Sequence, residues 1–155
     1  MEIKVLAHGN TNPNKVMMLQ KSAKFYAKYL NIQKFKYTLY ICSAPKMREN
    51  DGNNGVCAKT GEKEISIAVD SQLDFPQMLI TLAHEMVHAK QYVRGQYRSE
   101  LSRNGRMKKI WLGKQYSVSY MKRPWEIEAF SRESELAVAL VDTVARKAKK
   151  QKSRA

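Results

Sequence analysis

The stretch TLAHEMVHAKQY, residues 81–92, decides how this chain is read. It places His84 and His88 four positions apart with Glu85 between them, inside an otherwise apolar run. On a helix, residues i and i+4 lie one turn apart on one face, so both imidazoles reach a common point. At helical spacing Gln77, Thr81, His84, Glu85, His88 and Tyr92 share one face, while Leu79, Leu82, Ala83, Met86 and Val87 take the other, with Ile80 at the margin. Between Phe75 and Ala89 the only charged residue is Glu85. A solvated helix carries Lys and Glu on its polar face; this one carries imidazoles. The bland alternative is a pair of histidines hydrogen-bonded in a core.

Two histidines and a carboxylate make two zinc ligands and a base, and catalytic zinc needs a third protein ligand. The remaining histidine, His8, precedes the motif, and a lone histidine there is more often an ordinary surface or core residue. The third ligand is therefore expected to be a carboxylate downstream. The segment PWEIEAFSRESE, residues 124–135, offers Glu126, Glu128, Glu133 and Glu135. On a helical wheel Glu126 and Glu133 fall within an apolar stripe formed by Trp125, Ala129, Phe130, Leu136, Ala137, Leu140, Val141 and Val144. Glu128, Glu135, Arg132 and Asp142 fall on the opposite, solvent-facing side. A carboxylate amid a buried face is costly unless it is paired or binds metal. Glu126 is thus the expected third ligand, and Glu133 a partner behind a ligand or the fallback ligand.

Around the motif the chain alternates short blocks. EIKVLA (2–7) reads as a strand, and residues 14–31 as a helix capped by Asn12 with Pro13 in its first turn. FKYTLYIC (35–42) reads as a strand, residues 47–55 as a loop, and VCAKTGEKEISIAVD as a hairpin about Thr60-Gly61. Asp74 and Pro76 start the motif helix. Residues 95–122 are hard to read beyond a hairpin around IWLGKQYSV. A long helix begins at Pro124. The expectation is an α+β domain over residues 1–145 with a small, mostly antiparallel sheet, followed by a fraying basic tail over 146–155.

The 155 residues carry a formal net charge of +14, which favours anionic partners such as DNA or RNA. Lys21, Lys24 and Lys28 form a stripe on the first helix, and RNGRMKK (103–109) and the tail add more cations. Cys42 and Cys57 form no compact metal knuckle and no disulfide framework, so a reduced cytoplasmic chain is expected. The opening residues lack signal-peptide character, and no apolar run reaches the roughly 18 residues of a membrane span.

HEMVH with a later ExxA segment, EIEA at 126–129, resembles the gluzincin metallopeptidases, particularly the minimal ones. ISIAVD followed by the HExxH helix is also similar to SprT-like domains, including small ones encoded by phages. The resemblance covers roughly residues 35–145. It implies a zincin-like fold, zinc bound by His84, His88 and Glu126, and Glu85 as general base in hydrolysis of a protein or peptide. There are departures: SprT-like proteases typically use a third histidine, and a SprT-type zinc ribbon is missing. Many gluzincins place Asp where this chain has Phe130, so Glu133 or a backbone carbonyl must orient the imidazole. Tyr92, Tyr116 and Tyr120 are candidate oxyanion donors, and EISIAVD is a candidate strand for an extended substrate if it is a sheet edge beside the cleft. The competing expectation is a basic nucleic-acid-binding protein with a structural or vestigial zinc site; a third is hydrolysis of a non-peptide bond.

Overall fold

The computed structural model describes residues 1–7 and 11–155, so His8 lies outside the described residues. The fold is α+β. A four-stranded sheet contains β1 (Glu2–Ala7), β2 (Thr38–Ala44), β3 (Gly55–Gly61) and β4 (Glu64–Asp70), in the order β1-β2-β4-β3. Pairing is parallel between β1 and β2 and between β2 and β4, and antiparallel only between β3 and β4. The sheet is therefore mixed, not mostly antiparallel. The cause is α1 (Pro13–Tyr29), which carries the chain back across the sheet between β1 and β2, as a parallel pair requires.

Helix packing follows from alternation along the strands. Leu39, Ile41 and Ser43 of β2, and Ile65, Ile67 and Val69 of β4, are buried, whereas their alternate neighbours are less so. One face of the sheet thus carries the core, joined there by α1 and by α3 (Phe75–Val93). Tyr26, fully buried, ties the two helices together through its hydroxyl, which donates to the Leu79 carbonyl at 3.1 Å. Asn12 and Asp74 cap α1 and α3 as expected, accepting from the backbone amides of Asn14 and Gln77.

Three local expectations change. The β3–β4 turn falls at Glu62-Lys63, with an irregularity between Lys59 and Gly61, so the hairpin turns two residues later than Thr60-Gly61. Residues 47–51 form a short helix, α2 (Met47–Asp51), ended by Gly52 in the left-handed region at φ 72°. β4 is internal, so the exposed edge beside α3 belongs to β3.

A second, antiparallel sheet of β5 (Tyr97–Leu101), β6 (Met107–Trp111) and β7 (Lys114–Tyr116) follows. A 3-10 turn over Tyr120–Lys122 leads into α4 (Pro124–Ser153). α4 packs along α3 and buries Trp125, Glu126, Ala129, Leu136, Ala137 and Leu140. Phe130, Val141 and Val144, assigned to the apolar stripe by periodicity, are exposed; Val141 and Val144 line an open groove between α4 and Met17 and Lys21 of α1. Residues 146–153 do not fray; they continue the helix, exposed throughout. Among the described residues no helix is long and apolar enough to cross a membrane.

Candidate metal centre and its cleft

The α3–α4 packing brings His84, His88 and Glu126 together; all three are mostly buried. His84 Nε2 and His88 Nε2 lie 3.2 Å apart, and Glu126 Oε2 lies 3.4 Å and 3.3 Å from them. Ligands at about 2.0–2.1 Å from a tetrahedral ion are separated by about 3.3 Å. The triangle has the dimensions of one face of such a site.

The far side of each ring explains why these atoms are free to bind. His84 Nδ1 lies 2.8 Å from Glu133 Oε2, a carboxylate that only accepts when ionised, so Nδ1 carries the proton. His88 Nδ1 lies 2.9 Å from Gln91 Oε1. The Gln91 amide nitrogen donates to the Trp125 carbonyl and to Glu128 Oε2, both at 2.9 Å, which turns Oε1 towards His88. Both rings therefore present bare Nε2 lone pairs to the triangle. The third corner, Glu126 Oε2, is buried without a hydrogen-bond partner. Three convergent lone pairs repel one another unless a cation sits among them, so this group fits a metal ion.

The electrostatics agree. Burial alone would lower both histidine pKa values, but the adjacent Glu126 carboxylate and the nearby Glu85 charge favour the protonated rings and outweigh it, and both are raised. Burial pulls Glu126 upward, yet the two imidazoles reverse this and hold its carboxyl well below the ordinary range. Glu85, 6% exposed, is pushed up to about 7, chiefly by burial.

Glu133 thus stands behind a candidate ligand and outside the triangle. Glu128 departs from expectation. Its carboxylate is not solvated but pairs with the buried Lys90 Nζ and with Gln91, side chains that the neighbouring helix brings to that flank. Phe130 packs edge-on against His84 with centroids 4.6 Å apart. Gln91, three residues after His88 on a buried turn, was not anticipated; its signal is a polar side chain among Ala89 and Val93, which are buried.

A cleft of about 300 Å³ opens over the group. One wall is the start of β3, including Gly55, Val56 and Cys57. A Cβ on Gly55 would lie 2.7 Å from Thr81 Cγ2 and 3.1 Å from Glu85 Oε1, so only glycine lets this backbone approach so closely. The other wall includes Lys109, Tyr120, Arg123 and Trp125. Tyr92 and Tyr120 line the cleft; Tyr116 is absent from its lining and packs against Trp125, 6.3 Å between centroids. Burial and the Glu126 carboxylate raise the Tyr120 pKa to about 12, so its hydroxyl remains a donor at neutral pH. Burial and then the neighbouring Arg123 cation lower Lys109. In comparisons with known proteins, no family model, curated sequence or solved structure matches this chain.

Proposed function

We propose that the chain is a zinc-dependent metallopeptidase of the gluzincin type, with a zincin-like arrangement of sheet, HExxH helix and glutamate-bearing helix. The observation that carries this reading is the triangle of His84 Nε2, His88 Nε2 and Glu126 Oε2, 3.2–3.4 Å on a side, beside the buried carboxylate of Glu85. A set of two imidazoles and one carboxylate suits zinc. A site that only stabilised the fold would have no use for Glu85, and this disfavours the structural-zinc alternative.

Bound there, zinc would acidify water and polarise a carbonyl. The protein residues supply the rest. Glu85, with its pKa near 7, accepts a proton from water and returns it to the departing amine. Gly55 lets the peptide backbone of β3 pass close to that carboxylate. β3 is the sheet edge lining the cleft, and its unpaired backbone groups can hold an extended substrate beside Glu85. Tyr120, a neutral hydroxyl in the wall, is the best-placed donor to a developing oxyanion, with Tyr92 second. Glu133 and Gln91 hold the imidazoles in the ligating tautomer. The +14 charge and the exposed basic run beyond residue 145 support work near nucleic acid, and the two free cysteines, Cys42 and Cys57, suit a reducing cytoplasm.

The test is metal content with turnover. The reconstituted protein should hold one zinc and cleave peptides. Glu85→Gln should keep the zinc, keep the fold and lose cleavage. A folded wild-type protein that takes up no zinc, or a Glu85→Gln variant with undiminished cleavage, defeats the proposal.

A further inference from the structure

The two walls of the cleft differ in charge. Among the described residues the β3 wall presents no charged side chain, whereas the opposite wall presents Lys109 from β6 and Arg123 from the turn before α4. Among the described residues neither cation is in an ion pair. Arg123 sits over the Tyr120 ring at 5.3 Å, and its Nε is buried with no hydrogen-bond partner. A buried guanidinium nitrogen left unpaired is costly, and a carboxylate is the partner its planar fork matches best. Lys109 and Arg123 also line an adjoining groove of about 480 Å³ that adds Arg106 and Lys108 and has, among the described residues, no acidic side chain in its lining. Among the described residues the only carboxylates lining the cleft itself are Glu85 and Glu126, and Glu126 would be committed to the metal.

Register on the small sheet explains how these cations face the centre. Tyr97 pairs with Trp111, Ser99 with Lys109, and Lys109 with Tyr116, so Tyr97, Lys109 and Tyr116 share one face. That face meets Trp125 at the start of α4, with Tyr97 4.8 Å from it between centroids. The sheet is therefore a wall that holds Lys109 toward the cleft.

We infer that Lys109 and Arg123 form a subsite for a carboxylate carried by the peptide substrate close to the bond that is cut. This rests on the peptidase reading for the cutting step, but not for the binding step. The carboxylate can come from an Asp or Glu side chain or from a free C-terminus; both present the same planar anion.

The experiment has two parts on the full-length, zinc-loaded protein. In the first, wild type and Lys109→Glu digest a peptide library with amidated C-termini, and the products are sequenced by mass spectrometry. Asp or Glu should be enriched within two residues of the cut in wild type, and the enrichment should vanish in Lys109→Glu. The same library with free C-termini separates the sources: cuts confined to the last residues of free-ended peptides assign the subsite to a terminal carboxylate. The second part does not need cleavage. Binding of an Asp-containing hexapeptide and its Asn counterpart is compared by calorimetry on Glu85→Gln. The Asp peptide should bind about tenfold tighter, as one charge-assisted contact implies. Lys109→Gln should abolish that difference, whereas Lys24→Glu/Lys28→Glu, far along α1, should leave it, which separates a local contact from the field of a +14 protein. Equal binding of the two peptides, or equal loss in the α1 variant, overturns the inference. So does a single-stranded oligonucleotide that displaces both peptides alike, because the groove then serves a polyanion. If wild type cuts nothing yet prefers the Asp peptide, the subsite stands and the peptidase reading falls.

Discussion

His88 Nδ1 lies 2.9 Å from Oε1 of Gln91, one turn further along α3. The amide of Gln91 is in turn fixed by Glu128 and the Trp125 carbonyl on α4, and Glu128 is neutralised by Lys90. The orientation of one imidazole is therefore set by contacts between two helices. Gln91→Ala should weaken zinc binding about 10–100-fold, and Glu128→Gln should act in the same direction but less, since the Trp125 carbonyl still holds the amide. Competition with a chromophoric chelator gives both affinities. Wild-type affinity in Gln91→Ala would show that the relay does not matter.

Glu126 and Glu133 should separate by role. Glu126→Gln should lose zinc, because the corner of the triangle becomes a weak ligand. Glu133→Gln should retain zinc with about 10–100-fold lower affinity, because it touches His84 only through Nδ1. Chelator competition, with circular dichroism confirming the fold, distinguishes them; a reversal of the order would reassign the third corner.

Gly55→Ala should leave metal affinity near wild type but reduce peptide turnover on the order of 10–100-fold, by pushing against Glu85 and Thr81. Overpacking should also cost about 1–3 kcal/mol of stability. Turnover at saturating peptide and a denaturant melt measure the two effects. An unchanged turnover number would mean that β3 yields without moving Glu85.

The metal-free protein should be less stable at pH 8 than at pH 5.5. His84, His88 and Glu85 have raised pKa values in the folded state, so their stabilisation is complete below the unfolded values and fades as pH rises through the folded ones. Glu126 acts oppositely, losing its contribution as pH falls below its ordinary range. Together they put the metal-free optimum at about pH 5. Zinc should reverse the trend, since its ligands bind deprotonated. Thermal melts at both pH values, with chelator and with zinc, should cross; parallel trends would contradict the assignment.

Much of the centre was legible because its logic is local. The i, i+4 spacing of His84 and His88 and the presence of Glu126 on an apolar face require only helical periodicity. The third corner emerged by elimination of histidine. The parts that escaped the sequence depend on neighbours. Glu128 looked solvated on an isolated wheel, since the wheel contains no Lys90 or Gln91. The parallel pairing of β1 with β2 follows from the strand–helix–strand order of residues 2–42, whereas the tight β3–β4 connection imposes antiparallel pairing on that pair alone in the four-stranded sheet. Nothing within EISIAVD marks a sheet edge: its alternation is that of a half-buried strand, and its internal place is set by pairing with β2 and β3. Gly55 carries no sequence signal except its type; its importance is a distance to Thr81 and Glu85.

α4 joins two very different environments on one rigid rod. Glu126 lies near its beginning, among the candidate ligands, and Lys152 near its end, about 39 Å away at the helical rise. Physiological salt damps a charge over about 8 Å. The cations at 146–154 are thus electrically silent at the cleft, while a polyanion bound to them, as proposed, would be held at the helix's reach from it. On the proposed reading, charge changes at the far end should alter residence on a polyanion and leave turnover of a small peptide untouched.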